Sequence, residues 1–308
     1  HEEFATSGLR TGVVHLFDVH GEDAGVFDTL GTALAAAGAG YRIEIEDNVD
    51  LTGDGVLTIG VNSLTIHADA SVKVAGLVLG EGVQSLLLEG SFSTVIEGND
   101  LANTIIGNDG NNVINGNGGD DIIDLRWSNG NNVVDGGAGH DTILGGAGND
   151  VLKGGAGNDL IVTTGGADTV VGGSGDDVIV LGSTDGAQVI AQGGSGRDRF
   201  IVDNFGDAGV GLNAVILDFT LNQDDIDLSH LRKDGEPLTL ADLGLAYPGD
   251  AVIDLGALGL EQETANGSMA TEGSLNLSMV NGLRLGEGDF VFQVDDSYDW
   301  QVSLLGNG

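Results

Sequence analysis

Aspartate recurs at one fixed place in three nonapeptides that follow one another without a break: GGAGHDTIL (136–144), GGAGNDVLK (145–153) and GGAGNDLIV (154–162). Each reads G-G-x-G-x-D-x-U-x, with U a large aliphatic residue, so Asp141, Asp150 and Asp159 share the sixth position of successive repeats. The glycines permit backbone with φ > 0, and each GGxGxD is therefore predicted to be a tight turn presenting its carbonyl oxygens inward. A carboxylate added to a ring of carbonyls makes an all-oxygen, partly anionic site. That is what Ca²⁺ takes, with about 6 to 8 oxygens at roughly 2.3–2.6 Å. The predicted metal positions are the leading glycines Gly136, Gly145, Gly154 and Gly172 and the acids Asp121, Asp141, Asp150, Asp159, Asp168, Asp177 and Asp198.

Positioning these groups falls to the x-U-x triplet that ends each repeat, a strand too short to bury anything alone. Ile143, Leu152 and Ile161 are its expected inward residues, and coils must stack to give them a core. Two nonapeptides make one coil, so turns recur on the same side every second repeat. Asp141, Asp159 and Asp177 are then expected along one edge, and Asp150 and Asp168 along the other. The register begins degenerately at Gly98, with GNDLANTII, GNDGNNVIN and GNGGDDIID placing Asn103, Asn112 and Asp121 at the sixth position. After an inserted Leu125-Arg126, WSNGNNVVD restores the period with Asn132. Asn supplies a carbonyl oxygen without charge, so Asn132 counts as a weak ligand and the first coils are expected to bind Ca²⁺ weakly or not at all. TTGGADTVV keeps Asp168, GGSGDDVIV is intact, STDGAQVIA has Gln188 in place of Asp, and GGSGRDRFI recovers Asp198.

These nonapeptides resemble the repeats-in-toxin (RTX) family. The resemblance implies a parallel β-roll with Ca²⁺ between successive turns, each ion shared by position-six carboxylates two repeats apart: Asp141 with Asp159, Asp159 with Asp177, Asp150 with Asp168. It implies an all-β chain, a right-handed parallel β-helix running into a β-roll solenoid, holding several Ca²⁺ ions. Residues 214–231 (AVILDFTLNQDDIDLSHL) also resemble the strands that close such rolls. Asp218, Asp225 and Asp227 are there either ligands of a terminal Ca²⁺ or surface acids.

Three parts are expected. Residues 1–97 hold a candidate helix, Val26–Ala37, then a strand from Tyr41, then aliphatic triplets at irregular spacing. They read as a short helical cap and β-helix, although a small α/β appendage and a β-sandwich give similar patterns. Residues 98–231 form the roll. Residues 232–308 form a β-rich capping or assembly region, whose end, 289–308, is by the same resemblance a candidate signal for type I secretion.

The chain carries 48 acids against 10 bases, a formal charge of −38, which opposes compaction unless cations neutralise it. It also excludes nucleic acid, which needs basic surface, and electrostatic docking on anionic lipid. No cysteine is present, so a metal would have to supply the cross-links. No apolar run is long enough for a transmembrane helix. His1 opens the chain with no signal peptide behind it, so a processed product or a fragment is expected. His67 has no neighbouring histidine in sequence and reads as an ordinary strand or turn residue.

A search for catalytic patterns finds no H-E-x-x-H, G-x-S-x-G, P-loop or cysteine–histidine pair, and 48 acids offer no way to choose a glycosidase pair. Alanine or serine at the third repeat position leaves no threonine ladder for ice. The expectation is a non-enzymatic, extracellular protein of the bacterial cell surface or matrix (surface layer, filament or biofilm) that self-associates on Ca²⁺ binding. The alternative is the Ca²⁺-binding module of a larger adhesin or secreted hydrolase, with a cell-surface polysaccharide or glycan as partner.

Overall fold

The computed structural model describes residues 14–203, 212–220 and 223–229. It also gives the backbone of the strands Leu231–Lys233, Glu236–Pro237, Ala251–Asp254, Leu260–Thr264, Gly267–Thr271, Gly273–Leu277 and Phe290–Val291. The expected secretion signal, 289–308, lies outside them apart from that last strand. The chain divides into two compact units, residues 1–161 and 162–308. Both are built mainly from parallel β-strands, with antiparallel pairs at the start of the first and in the tail of the second, and among the described residues there is one α-helix.

The first unit opens with an antiparallel hairpin, β1 (Val14–Phe17) and β2 (Asp23–Phe27), followed by α1 (Leu30–Ala36) and β3 (Arg42–Ile45). Val26 and Phe27, expected in the helix, are strand residues paired with His15 and Val14. The helix begins only after Thr29, whose hydroxyl caps the Thr32 N–H at 3.1 Å and so fixes the start two residues beyond the hairpin.

From there the chain winds in coils of two strands each. One sheet runs from β3 through β5 (Leu64–Ala68), β7 (Ser85–Gly90), β9 (Thr104–Ile106) and β11 (Ile122–Asp124) to β13 (Thr142–Leu144). The other runs from β4 (Val56–Ile59) through β6 (Gly76–Leu79), β8 (Val95–Glu97), β10 (Val113–Asn115) and β12 (Val133–Ala138) to β14 (Val151–Ala156). All pairs in this run are parallel and in register: Ile105 stands opposite Ile123 and Ile123 opposite Ile143, while Ile96, Ile114 and Val134 form the matching row in the second sheet. Every one of these is fully buried, as are Leu152 and Ile161. The single inward residue of a triplet thus finds its core only against its counterparts above and below.

In the second unit, after β15 (Leu160–Val162), β16 (Thr169–Ser174) pairs with β18 (Gln188–Ser195), and β17 (Val178–Leu181) with β19 (Arg199–Val202), again parallel. The two predicted closing strands add one more coil, β20 (Leu212–Ile216) on β18 and β21 (Asp225–Asp227) on β19. They do not end the sheets. Gly273–Leu277 pairs parallel with β20, and Phe290–Val291 parallel with β21, so the tail extends both sheets although its sequence has lost the repeat. No helix among the described residues is long and apolar enough to cross a membrane.

Candidate metal centre

The position-six residues form ladders along the edges of the coils. On one edge the Asn103 N–H donates to Asp121 Oδ1 (2.7 Å), the Asp121 N–H to Asp141 Oδ1 (2.8 Å) and the Asp141 N–H to Asp159 Oδ1 (2.8 Å). The second unit repeats the step, Asp177 N–H to Asp198 Oδ1 at 3.1 Å and Asp198 N–H to Asp224 Oδ1 at 3.0 Å. Each carboxylate therefore spends one oxygen on the backbone of the coil before it. The second oxygens of Asp121, Asp141 and Asp198 are buried and accept no hydrogen bond, although these residues are only 1 % exposed. Burial pushes their carboxyls up to about 7, 6 and 6 respectively, and neighbouring acids add to the effect. Burial also raises Asp150, Asp159 and Asp224. A desolvated carboxylate without a partner is costly, and either a proton or a cation relieves it.

Beside the Asp121 and Asp141 oxygens lies a glycine carbonyl, and the Asp198 oxygen lies against Gly193. A Cβ placed on Gly136 would fall 2.4 Å from Asp141 Oδ2 and 2.7 Å from Gly154 O, so only glycine leaves that space open. At Gly155 the backbone sits at φ +118° and a Cβ would meet Gly137 O at 2.1 Å, which requires glycine twice over. The residues present fit Ca²⁺: buried anionic oxygens, adjacent carbonyls and room only a glycine provides. Among the described residues no three His, Asp or Glu side chains converge on one point, so such sites rest on one or two carboxylates plus backbone oxygens.

The other edge is built differently. Asn112 Oδ1 accepts from the Thr94 N–H (3.3 Å), and its Nδ2 donates to Gly110 O (3.0 Å) and Asn108 Oδ1 (2.9 Å). Asn132 Oδ1 accepts from the Asn112 N–H (3.0 Å), while Nδ2 donates to Gly130 O (2.8 Å), Ser128 Oγ (3.2 Å) and Asp150 Oδ1 (3.1 Å). Asp150 accepts on both oxygens, from Asn132 and from the Gly146 N–H at 3.0 Å. Asn103, on the first edge, donates to Val83 O and Asn99 Oδ1.

Of the expected terminal ligands, Asp218 accepts from the Gly193 and Gly194 N–H groups (3.0 and 2.9 Å). Asp225 pairs with Arg197 at 2.7 Å, and Asp227 with Arg199 Nε at 3.1 Å. The ladder continues instead through Asp224, which sequence reading passed over. The loop before it is longer than in the repeats, and a count of nine lands elsewhere. Sequence reading also missed the surroundings of His67, which in space stands in register between Glu44 and Glu89, with His15 opposite Glu44. Arg42 ties Glu44 and Glu89 together, so this row is an ion network on the outer face of the first sheet.

No curated protein matches the chain. The family profile described as the RTX calcium-binding nonapeptide repeat, in four copies, matches residues 97–127, 128–161 and 153–185. Those segments contain both edges of buried position-six side chains and the glycine turns that face them, so residues 97–185 are RTX calcium-binding nonapeptide repeats wound into a β-solenoid, which indicates a Ca²⁺-binding protein of the secreted type.

Proposed function

We propose that this is an extracellular structural protein of the bacterial cell surface or matrix, without enzymatic activity, whose roll folds and assembles when Ca²⁺ binds. The observation that carries this reading is the buried second oxygen on Asp121, Asp141 and Asp198, each beside a glycine turn. Several such oxygens in a chain of charge −38 make the folded roll unfavourable where Ca²⁺ is scarce and favourable where it is abundant. The ion would supply positive charge and coordination at the turns; the chain supplies the carboxylates, the carbonyls and the strand register that holds them one coil apart. Export unfolded and folding outside then follow from one equilibrium.

A Ca²⁺ titration of the chelated protein, followed by circular dichroism and light scattering on one sample, tests this. Strand signal and large particles should rise together. A chain already fully folded in chelator would refute coupled folding. Folding without particles would favour the second reading, the Ca²⁺-binding module of a larger adhesin or hydrolase. That reading draws support from Trp127, 82 % exposed on the turn that follows the inserted Leu125-Arg126, and from the exposed row Val95, Val113, Val133 and Val151.

A further inference from the structure

The position-six side chains of the first unit fall into two classes that the repeat pattern treats as one. At Asp121 and Asp141 a buried oxygen faces glycine carbonyls with no donor. At Asn112 and Asn132 the equivalent atom is an amide nitrogen, and it donates to Gly110 O (3.0 Å) and to Gly130 O (2.8 Å); at Asn103 the atom beside the leading glycine is Oδ1, which accepts from the Asn99 N–H (3.0 Å), while Nδ2 donates to Val83 O (3.1 Å) in the preceding coil. The second repeat position follows with one exception. It is glycine in the repeats of Asp141, Asp150 and Asp159, but Asn99, Asn108 and Ser128 in the repeats of the three asparagines; the repeat of Asp121 departs from this with Asn117, whose Nδ2 donates to Gly98 O (2.8 Å) in the preceding coil. In the asparagine repeats those side chains seal the same turns. Asn99 Nδ2 donates to Gly80 O (2.9 Å) and Val83 O (2.7 Å), Asn108 Nδ2 donates to Phe92 O (3.1 Å), and Ser128 Oγ accepts from the Gly130 N–H (3.2 Å). A polar side chain at position two together with Asn at position six therefore places amide donors on the turn carbonyls, which elsewhere face bare carboxylate oxygens. No charge is buried and no cation is needed to satisfy the turn.

We propose that position six decides, coil by coil, whether a turn takes Ca²⁺ or closes on itself. The turns of Asn103, Asn112 and Asn132 hold no ion although they lie within RTX repeats, and the coils up to β10 fold without Ca²⁺ as a template on which the Asp turns then load. This rests on the Ca²⁺-coupled reading above and deepens it.

Hydrogen–deuterium exchange on the full chain, in chelator and in saturating Ca²⁺, tests both. The amides of β5 to β10 should be equally protected in the two conditions, while those of β11, β13 and β14 should exchange at least about tenfold faster in chelator. Loss of protection throughout the first unit in chelator would overturn the template and leave Ca²⁺-coupled folding standing. Uniform protection in chelator would overturn both. The substitution Asn132→Asp supplies the second arm, because it removes the amide from Gly130 O and Ser128 Oγ and sets a second carboxylate against Asp150. Ca²⁺ stoichiometry by calorimetry should rise by about one ion, and protection of β12 in chelator should fall. Unchanged stoichiometry with unchanged protection would sink the assignment.

Discussion

A single oxygen carries the argument at the residue scale. In Asp141, Oδ1 is committed to the Asp121 N–H, and Oδ2 is buried beside Gly154 O with nothing donating to it. The substitution Asp141→Asn keeps the first bond and turns the second atom into a donor, as Asn132 already displays in its own turn. The variant should bind fewer Ca²⁺ ions. It should also be more stable than the parent in chelator and less stable in Ca²⁺, each by about 1–3 kcal/mol, the usual cost of a buried polar group gaining or losing its partner. Thermal melts in the two conditions, with calorimetric stoichiometry, check this, and an equal loss of stability in both would mean that Asp141 serves packing alone.

At the scale of the element, the unit is a turn plus a triplet, and its tolerance is set by how closely successive turns approach. Gly155 shows the constraint: positive φ and a carbonyl 2.1 Å from where a methyl would sit. The substitution Gly155→Ala should cost at least about 1–3 kcal/mol, from backbone strain and forced separation of coils. Gly53→Ala, with nothing within 4 Å, should be close to neutral. Chemical denaturation of both in Ca²⁺ measures the difference, and similar midpoints would show that the coils can shift apart at little cost. The triplets were legible in the sequence because one buried aliphatic per strand repeats at a fixed interval. Val72-Lys73-Val74 departs from the pattern of paired triplets. Both valines are buried, yet this triplet makes only the isolated bridge between Lys73 and Asp50. Burial and strand pairing separate there because the adjoining loops differ in length.

For the whole molecule, charge and fold are opposed. With ordinary aspartates near 3.8, an unfolded chain at about pH 5 has lost the protons that the metal-free folded state still keeps at Asp121, Asp141 and Asp198. Because these folded-state values are raised, the stability they contribute is full below about pH 4 and is lost as pH climbs through about 6 to 7. The melting temperature of Ca²⁺-free protein should therefore fall between about pH 4.5 and 7.5, each unit of the window being worth about 1.4 kcal/mol per site at most. In saturating Ca²⁺ the trend should vanish or reverse, since the ion needs the ionised carboxylate. A metal-free melting temperature that rises with pH across this window would contradict the burial of these groups.

The sequence by itself determined the period of nine, the inward aliphatic row, the acidic edges and Ca²⁺ as the fitting ion, because each depends only on residue type and spacing along the chain. The aspartates it named occupy ladder positions within each unit, at Asp121, Asp141 and Asp159 and again at Asp177 and Asp198. Only the tertiary structure decided what each polar atom meets. Asn132 is wired through its amide, Asp224 and not Asp225 extends the ladder, Arg197 and Arg199 hold the acids expected to close it, and strands of the tail continue the sheets. The physical reason is the same in every case. Periodicity fixes which residues share an edge, whereas loops of irregular length and hydrogen bonds between coils fix which donor lies within about 3 Å of which oxygen, and only that distance separates a closed turn from one that needs an ion.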